Sequence, residues 1–484
     1  MAGTNSRAGH DRYYSWTIEL WDARVTMSST DEIDELARHL SGQALTDRLF
    51  RPGDPSYTDT TALWNGGVTT RPGLVVRPHT NAEVAAAITS ARQFGVGVSV
   101  RGGGHDWAGR ALRGGLVIDL GAMRDVRVQR DNAVIGGGSR AGDVIAAAAQ
   151  HRMNVAVGTA GVVGMAGLTL GGGYGPLLGT TGLAADNLLG AEVVLADGRI
   201  VSTEDDPELL WALRGGGGNF GVVTSIRLRL HSDRGLVGGM VLFPWEEAST
   251  VLSRFAELIT EATDGLTLLL EMTVAPGTGP CLVVVPVWSG DPQGADAAVG
   301  KVMRLGRRGV GAVAPTTQKD LWAQFDQAVP SGMHWDLRTR NIAELTPDVI
   351  SLLTGWVEKR PGPGAGIGLR QFHGAATRVG TEESAFGLRT NHVAVEISAG
   401  RGPDENHDSF KEWLDGVYNA LAPFALPGGY PNFLLPDQEE QVVHAYGANA
   451  ERLVKAKETY DPEHVFTATP LPDRSMLKTH RPAR

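Results

Sequence analysis

The sequence predicts a two-domain protein of the α+β class. Its 484 residues are too many for a single hydrophobic core and suffice for two domains of ordinary size. Many of the 64 glycines lie in three blocks before residue 231, and from Gly235 onward glycine becomes sparser while strands alternate with amphipathic helices. This change in composition predicts a domain boundary near residue 235.

Hydrophobic periodicity predicts the elements of the first half. Apolar runs at 74–76 and 96–100 predict two strands, and the segment between them carries a helical stripe. The stripe consists of Val84, Ala87, Ile88 and Ala91. After the third glycine block, residues 222–230 alternate and predict a strand that places on one side Val223, Ser225, Arg227 and Arg229.

The second half predicts a helix that lies on a sheet. Residues 245–262 carry an apolar stripe at helical spacing, formed by Ala248, Val251, Leu252, Phe255, Leu258 and Ile259. The strands predicted beneath this helix lie within residues 265–275, 281–289, 368–376 and 392–400. A further helix is predicted at 449–458.

The segment 98–110 is the most informative part of the chain. A strand runs into Gly102, Gly103 and Gly104 and stops on His105. Because residues without Cβ freely adopt the required dihedrals, successive glycines let backbone N–H groups turn inward and form an anion-binding concavity. The segment therefore predicts a phosphate cradle with a nucleophile at its rim.

The third glycine block offers an alternative, a nicotinamide-binding Rossmann unit. Gly216, Gly218 and Gly221 have the G-x-G-x-x-G spacing, but that fingerprint must follow a strand and open a helix. The block is followed by a predicted strand instead. The sequence therefore disfavours a Rossmann unit.

Together, the glycine blocks resemble the FAD-binding domain of the p-cresol methylhydroxylase and vanillyl-alcohol oxidase superfamily, in its berberine bridge enzyme-like branch. The resemblance extends from about residue 44 to residue 230 and returns at 446–466. It implies a two-domain FAD-binding fold whose substrate domain is an antiparallel sheet flanked by helices. The implied parts are a polar extension (1–35), an FAD-binding domain of two subdomains (36–235), a substrate-binding domain (236–436), a segment returning to the FAD domain (437–475) and a tail (476–484).

The resemblance also implies how FAD is held. In that family the histidine of the R-x-G-G-H loop carries the flavin covalently, and the matching residue is His105. Relatives with a second link use a cysteine where this chain has Ala160, and its single cysteine is Cys281, so one link is expected. The implied cofactor-binding residues are Arg101, Gly102, Gly103, Gly104, His105, Asp106, Thr159, Ala160, Gly161, Gly164, Met165, Gly167, Gly171, Gly172, Gly173, Tyr174, Gly175, Asn187, Gly221, Val222, Val223, Asn432, Tyr446 and Asn449.

A proton acceptor is predicted on the strand at 392–400. Alternation places Glu396 on the face opposite Val393, Val395 and Ile397, as the ceiling of a pocket requires. The family carries its acid–base residue on the corresponding strand, after an F-x-x-R stretch matched by Phe386 and Arg389, with spacing that differs by about one residue. A solvated sheet face is the competing interpretation of Glu396.

Further candidates for catalysis remain open. Glu271, Gln371 and His373 are rivals on neighbouring strands, and Tyr430 and Tyr446 match family positions close to the flavin. Each tyrosine could instead be a core aromatic with a satisfied hydroxyl. The predicted catalytic set is Glu396, Tyr446, Tyr430 and His373.

Composition excludes several classes of function. The net charge is −10 without a long basic stripe, which disfavours nucleic acid as a partner. One cysteine excludes an internal disulfide, and no Cys/His pattern resembles a metal-ligand set. No apolar run of about 18 residues and no secretory signal occur, so the prediction is a cytoplasmic protein without membrane partners, its oligomeric state left open.

The sequence therefore predicts an FAD-dependent oxidase of a small organic molecule, a secondary metabolite or its precursor, as in antibiotic biosynthesis. Molecular oxygen is the expected acceptor. Met165 stands in a stretch where relatives carry a small residue and would narrow the route of oxygen to the flavin, which keeps a dehydrogenase as an alternative. A sugar or oligosaccharide oxidase is a second possible activity, and a resistance protein that binds a natural product is the non-enzymatic interpretation.

Overall fold

A computed structural model describes residues 29–275, 277–328, 330–435 and 437–479. Within this part of the chain the strands form three sheets of four, six and seven strands. Residues 1–28 of the predicted extension and 480–484 of the predicted tail lie outside the described residues. The helix α1 (Thr30–Leu40) begins within the predicted extension, is capped by Ser29 and buries Ile33 and Leu36.

The first sheet is mostly parallel. Its strands are β1 (Leu49–Phe50), β2 (Leu74–Val76), β3 (Val98–Arg101) and β4 (Leu116–Asp119), in the order β1-β2-β4-β3. Strand β4 pairs in parallel with β2 and β3, which places the ends of β3 and β4 at the same edge. Helix α1 and helix α3 (Asn81–Gln93), which follows α2 (Tyr57–Thr61), cover this sheet with a shared apolar core.

The second sheet is antiparallel. Its strands are β5 (Val126–Gln129), β6 (Asn132–Gly136), β7 (Met153–Val155), β8 (Leu188–Val194), β9 (Ile200–Ser202) and β10 (Val222–Ser232). The order is β5-β6-β10-β8-β9, and β7 also pairs with β10. The helices of this region are α4 (Ala141–Ala149), α5 (Met165–Leu170), α6 (Leu178–Thr181) and α7 (Pro207–Leu213).

Strand β10 departs from the simple alternation that the sequence predicts. A register shift between Val223 and Ser225 places Val223 in the same core as Ile226 and Leu228. Val223 therefore does not share a side with Ser225, and the predicted grouping is wrong at this one position because a bulge adds a residue to the strand.

The third sheet is antiparallel throughout. Its strands are β11 (Leu236–Pro244), β12 (Leu266–Ala275), β13 (Gly279–Trp288), β14 (Val310–Thr316), β15 (His334–Ile342), β16 (Ala365–Phe372) and β17 (His392–Arg401). The order is β14-β11-β13-β12-β16-β17-β15. Helices α8 (Ala248–Glu261), α9 (Ala295–Met303), α11 (Pro347–Glu358) and α13 (His407–Ala420) share one apolar core with one face of this sheet.

The opposite face of the third sheet turns toward the glycine-rich half of the molecule. Leu269, Val285 and Val287 join the core of the second sheet, and Phe372 and Ala394 pack with aromatic residues of other segments. The remaining helices are α10 (Gln318–Ala328), α12 (Ala375–Arg378), α14 (Glu439–Ala445), α15 (Ala450–Tyr460) and α16 (Arg474–Thr479). In the described part of the chain, no helix combines the length and apolar character that crossing a membrane demands.

Candidate active site

Two carboxylates meet on the inner face of the third sheet. Glu271 in β12 and Glu396 in β17 both lie opposite Gly368 in β16, the strand between them. Gly368 leaves the space between them open, since a Cβ there would come within 2.8 Å of Glu271 Oε2. The other face of β17 packs under the helices through Val393, Val395 and Ile397.

Arg370 joins these two carboxylates. It lies two residues beyond Gly368 on β16 and therefore projects from the same face. Its Nη2 is 2.9 Å from Glu396 Oε2 and also contacts Glu271 Oε1. The side chains of Arg370 and Glu396 are 15% and 17% exposed, whereas that of Glu271 is 34% exposed. One guanidinium thus serves two carboxylates, and Glu396 is the more buried of them.

Burial determines the proton affinity of Glu396. Desolvation raises the pKa of the Glu396 carboxyl above its ordinary value, and the negative charge of Glu271 adds to this, while the Arg370 guanidinium opposes it. Burial opposes the charge of Arg370 in turn, but the two carboxylates outweigh it and raise its pKa. A carboxylate with a raised pKa is a better proton acceptor than one in water.

Two tyrosines line the space beside Glu396. Tyr174 and Tyr430 pack edge to face, with ring centroids 4.4 Å apart. Burial, reinforced by the charge of Glu396, raises the pKa of the Tyr174 hydroxyl. That hydroxyl is buried and has no hydrogen-bond partner among the described residues. It can therefore donate to a bound molecule.

The hydroxyl of Tyr430 accepts two hydrogen bonds. The backbone N–H of Gly173 donates to it at 2.7 Å, and Asn432 Nδ2 donates at 3.1 Å. Burial raises the pKa of Tyr430 to about 12, so the hydroxyl keeps its proton at neutral pH. Because both bonds are accepted, that proton is free to be donated into the site.

The sequence predicts an anion cradle in the loop after β3. Gly103 packs so tightly on Gly164 that a Cβ would overlap the Gly164 backbone. Among the described residues, no acceptor is present for the backbone N–H groups of Gly103, Gly104 and His105. Asp106 shapes the next turn by accepting hydrogen bonds from the backbone N–H groups of residues 108 and 111.

His105 lies at the end of a stack of rings. Its imidazole is parallel to the indole of Trp64 at 4.4 Å, and Trp64 stacks on Trp335 at 5.3 Å. Burial lowers the pKa of His105 to about 4, so the ring is neutral at neutral pH. A neutral imidazole retains the lone pair that a nucleophile needs.

The second glycine block approaches the tyrosines closely. A Cβ on Gly171 would overlap the Asn432 side chain, and one on Gly172 would lie 2.9 Å from the Tyr430 ring. Gly172 and Gly173 have φ of 127° and 74°, which side chains disfavour. Gly175 packs against the backbone carbonyl of Val157.

Helix α5 opens at Met165 beside the His105 loop. Met165 is fully buried in the core of the second sheet, and its backbone N–H donates to Ser139 O at 2.9 Å. Gly167, two residues on, is exposed and has no atom within 4 Å of the position of a Cβ. The helix therefore presents a bare backbone surface next to the glycine loops.

Two predicted catalytic residues form hydrogen bonds within the protein scaffold. Tyr446 is fully buried in the core of the second sheet, and its hydroxyl donates to Pro470 O at 3.1 Å. His373 lies beyond the end of β16, where its Nε2 is 3.1 Å from Thr267 Oγ1. These hydrogen bonds hold segments of the scaffold together, and the catalytic roles of Tyr446 and His373 stay predictions.

Three predicted cofactor-binding side chains are also engaged in the scaffold. Arg101 forms a buried ion pair with Asp119 at 2.9 Å. Asn187 Nδ2 donates to the carbonyls of residues 181 and 183, and Asn449 Nδ2 donates to those of residues 381 and 384. These contacts fix the loops, and cofactor binding by the three side chains stays a prediction.

The third glycine block lies where the first and second sheets pack together. A Cβ on Gly221 would lie 2.6 Å from the Val193 side chain in β8. Val222 belongs to the core of the first sheet and Val223 to that of the second. The sequence predicts that these three residues bind the cofactor. In the structure this segment packs between the cores of the first and second sheets.

Arg370 is the residue of the site that the sequence reasoning missed. The predicted rivals on the same strand are Gln371 and His373, which have the opposite parity. Gln371 faces the helices, where its amide bonds to Leu268 N and Ile259 O. In the sequence, only the two-residue spacing of Arg370 and Gly368 could have indicated that they share a face of the strand. That spacing points to Arg370 only when the pairing of β16 with β12 and β17 is known.

Two segments of the chain match known protein families. A family model described as FAD binding domain matches residues 72–204, and one described as berberine and berberine like matches residues 429–470. The FAD-linked oxidoreductase aurO of Gibberella zeae is 28% identical over 430 residues, covering 87% of this chain and 84% of the relative.

Two solved structures have the same fold. That of 6-hydroxy-D-nicotine oxidase from Arthrobacter nicotinovorans superposes with a TM-score of 0.79 at 27% identity, covering 88% of this chain and 97% of that one. Glucooligosaccharide oxidase from Acremonium strictum, described with a 6-S-cysteinyl, 8α-N1-histidyl FAD, gives 0.79 at 22% identity, covering 90% and 99%. The predicted α+β fold of the p-cresol methylhydroxylase and vanillyl-alcohol oxidase type is confirmed.

The residues present fit FAD. The free amides after β3 suit an anionic group such as the pyrophosphate of FAD. At Gly167 nothing lies within 4 Å of the position of a Cβ, so a cofactor could approach the backbone closely there. In the described part of the chain, no group of three or more His, Cys, Asp or Glu side chains is placed to hold a metal ion.

The domain matches, the named relative and the geometry of the loops lead to the same enzyme class. The FAD-binding match contains the His105 loop and the second glycine block, and the berberine-like match contains Tyr430 and Asn432. The chain is thus an FAD-linked oxidoreductase that combines an FAD-binding domain with a berberine-like C-terminal segment.

Proposed function

We propose that this protein is an oxidase that transfers a hydride from a small organic molecule to FAD and passes the electrons to molecular oxygen, with hydrogen peroxide as product. The substrate class that we propose is a secondary metabolite or its precursor. The observation that carries the proposal is the buried Glu396 with a raised pKa, held by Arg370 on the sheet face that looks toward the glycine loops.

Glu396 is proposed as the general base. When bound, FAD supplies the hydride acceptor, and the protein must remove a proton from the substrate. In its ionised form Glu396 is held by one hydrogen-bonded contact to Arg370 Nη2, so a second carboxylate oxygen is available to accept that proton. The free protons of Tyr174 and Tyr430 orient a polar atom of the substrate beside it.

His105 is proposed as the single point of covalent attachment. Its buried imidazole is neutral and so retains the lone pair that a bond to FAD would use. The position of a second link is Ala160, which has no nucleophile. Cys281 lies in β13 and is buried, and burial raises the pKa of its thiol. The glucooligosaccharide oxidase is described with both links, which supports treating a sugar substrate as the weaker alternative here.

Oxygen is proposed as the acceptor because a structural neighbour, 6-hydroxy-D-nicotine oxidase, carries the oxidase activity in its name. Met165 stands at the position where a large side chain would limit the access of oxygen to the flavin. Its side chain points into the core of the second sheet, away from solvent, which is compatible with an open route beside α5.

The test of the base is Glu396→Gln, which keeps the shape of the side chain and removes its proton affinity. Candidate metabolites are first screened for anaerobic bleaching of the flavin absorbance. Once a substrate has been identified, the flavin reduction rate of Glu396→Gln should be at least about 10²-fold lower than that of the parent, which is the lower bound for a positioned base. The visible spectrum of the oxidised flavin should not change.

The matched control is Glu257→Gln, the same chemical change on the exposed side of α8. It should reduce at the parental rate. Stopped-flow traces in which Glu396→Gln also reduces at the parental rate would show that the proton acceptor lies elsewhere and that Glu396 only supports the sheet.

A further inference from the structure

Helix α10 extends from the third sheet into the glycine-rich half of the molecule. It follows β14 in the chain, yet Leu321 and Trp322 are buried in the core of the second sheet. Gln318, Trp322 and Asp326 are spaced four residues apart and therefore share one face of the helix. That face lies along the backbone of residues 155–162.

The three side chains bond to this backbone at regular intervals. Gln318 Oε1 accepts from Val155 N at 3.0 Å, and its Nε2 donates to Val155 O at 2.8 Å. Trp322 Nε1 donates to Gly158 O at 2.8 Å. The segment is thus held at both residues 155 and 158 by side chains that are almost completely buried.

Asp326 holds the end of the same segment. Its Oδ1 accepts hydrogen bonds from Gly161 N at 2.8 Å and Val162 N at 3.4 Å. A carboxylate in the last turn of a helix is disfavoured by the helix dipole, so α10 itself gives no reason for an acid here. The two backbone amides give the reason, because bonds to an ionised acceptor are stronger than those to a neutral one.

The segment held in this way contains Thr159 and Ala160, between Gly158 and Gly161. On the other side, Gly161 O accepts from Gly142 N at 2.7 Å at the start of α4. Gly161 has no room to move toward α10, since a Cβ there would lie 2.7 Å from Asp326 Oδ2. The loop is therefore fixed between α10 and the FAD-binding domain.

We propose that Asp326 is a positioning residue for FAD, with Trp322 and Gln318 as its supports. Helix α10 holds the loop at Thr159–Ala160 in its binding conformation before FAD arrives. In this chain the loop has no cysteine at residue 160 to tie it to the flavin, so its position depends on these non-covalent bonds. The inference rests on FAD binding alone and is independent of Glu396 as a base.

The test measures FAD affinity in full-length, deflavinated protein carrying His105→Ala, so that binding is reversible. FAD is titrated while its fluorescence is followed. Asp326→Ala should raise the dissociation constant for FAD at least fivefold. Asp326→Asn retains an oxygen acceptor for the two amides and should restore most of the affinity, a rescue that a merely destabilised helix would not show.

The matched control is Asp320→Ala on the same helix, whose exposed carboxylate bonds to Thr317 Oγ1 at the start of α10. It weakens the helix without touching the loop and should bind FAD within twofold of the parent. Equal FAD affinities of Asp326→Ala and Asp320→Ala would overturn the proposal. Should Asp326→Ala fail to fold, Trp322→Phe removes the bond to Gly158 O together with part of the buried ring, and unchanged FAD affinity in that variant would overturn the proposal equally.

Discussion

Replacing Arg370 with Met tests the carboxylate cluster most directly. Met has a similar length and no charge, so it fills the space of the Arg370 side chain while leaving Glu271 and Glu396 without a shared cation. The two carboxylates then face each other across Gly368. The expected results are a loss of stability at neutral pH and a further rise in the pKa of Glu396.

The size of the loss follows from the geometry. Because both carboxylates contact the same nitrogen, their oxygens lie about 5 Å apart, for which Coulomb's law at an effective dielectric constant of 20 gives roughly 3 kcal/mol. Removing one partner of a fully buried pair costs about 3–5 kcal/mol. Glu271 is 34% exposed and solvent screens it, so the expected loss is about 2 kcal/mol at pH 8.

The pH dependence of the loss has a definite sign. A carboxyl whose folded-state pKa is raised above the unfolded value stabilises the protein only while it is protonated, and this contribution is lost as pH rises through the raised pKa. Arg370→Met raises that pKa further. The difference in stability between parent and variant should therefore be small near pH 4 and reach its full size by pH 8.

Urea unfolding at pH 4, 6 and 8 measures this difference, and Arg378→Met, which removes an exposed ion pair with Asp264, is the control with little effect. Stopped-flow reduction should show the rate of Arg370→Met rising at higher pH than in the parent, because Glu396 ionises later. A stability difference that grows on acidification, or that is absent at pH 8, would refute the account of a shared guanidinium.

Two further predictions concern the flavin. Acid-precipitated parent protein should stay yellow, and His105→Ala should lose its FAD to the supernatant. The reason is that Ala160 and the buried Cys281 offer no second link. Flavin that stays on the variant after acid treatment, or a flavin-labelled Cys281 peptide, would contradict this. Reduced enzyme mixed with air-saturated buffer should reoxidise rapidly and yield hydrogen peroxide, measured by a coupled peroxidase assay. Slow reoxidation that Met165→Val accelerates would favour a dehydrogenase limited at that residue.

Much of the fold could be predicted because it depends on local patterns. The helical stripe of Val84, Ala87, Ile88 and Ala91 is completely buried in α3, and the alternation at 392–400 appears as β17 with its apolar side under the helices. These periodicities are properties of single elements, which the order of residues determines directly. The bulge at Val223 was not predictable in this way, since it depends on how β10 pairs with β8.

The roles of single polar residues were less predictable than the elements that carry them. Tyr446 and Tyr430 are both buried tyrosines near glycine loops, yet the hydroxyl of Tyr446 donates to Pro470 O whereas that of Tyr430 accepts from Gly173 N. The sequence contains the donor, but which acceptor lies within reach is decided by segments far away in the chain.

Gly368 shows how such a distant relation creates the candidate chemistry. Taken alone, a glycine inside β16 predicts only that the strand is less stable there. Between Glu271 and Glu396, however, the missing side chain is what allows two carboxylates from different strands to reach one arginine. A larger residue would force the carboxylates apart and expose Glu396 to solvent, where its pKa would return to the ordinary range. The proton affinity proposed for the base therefore depends on the absence of a side chain at Gly368.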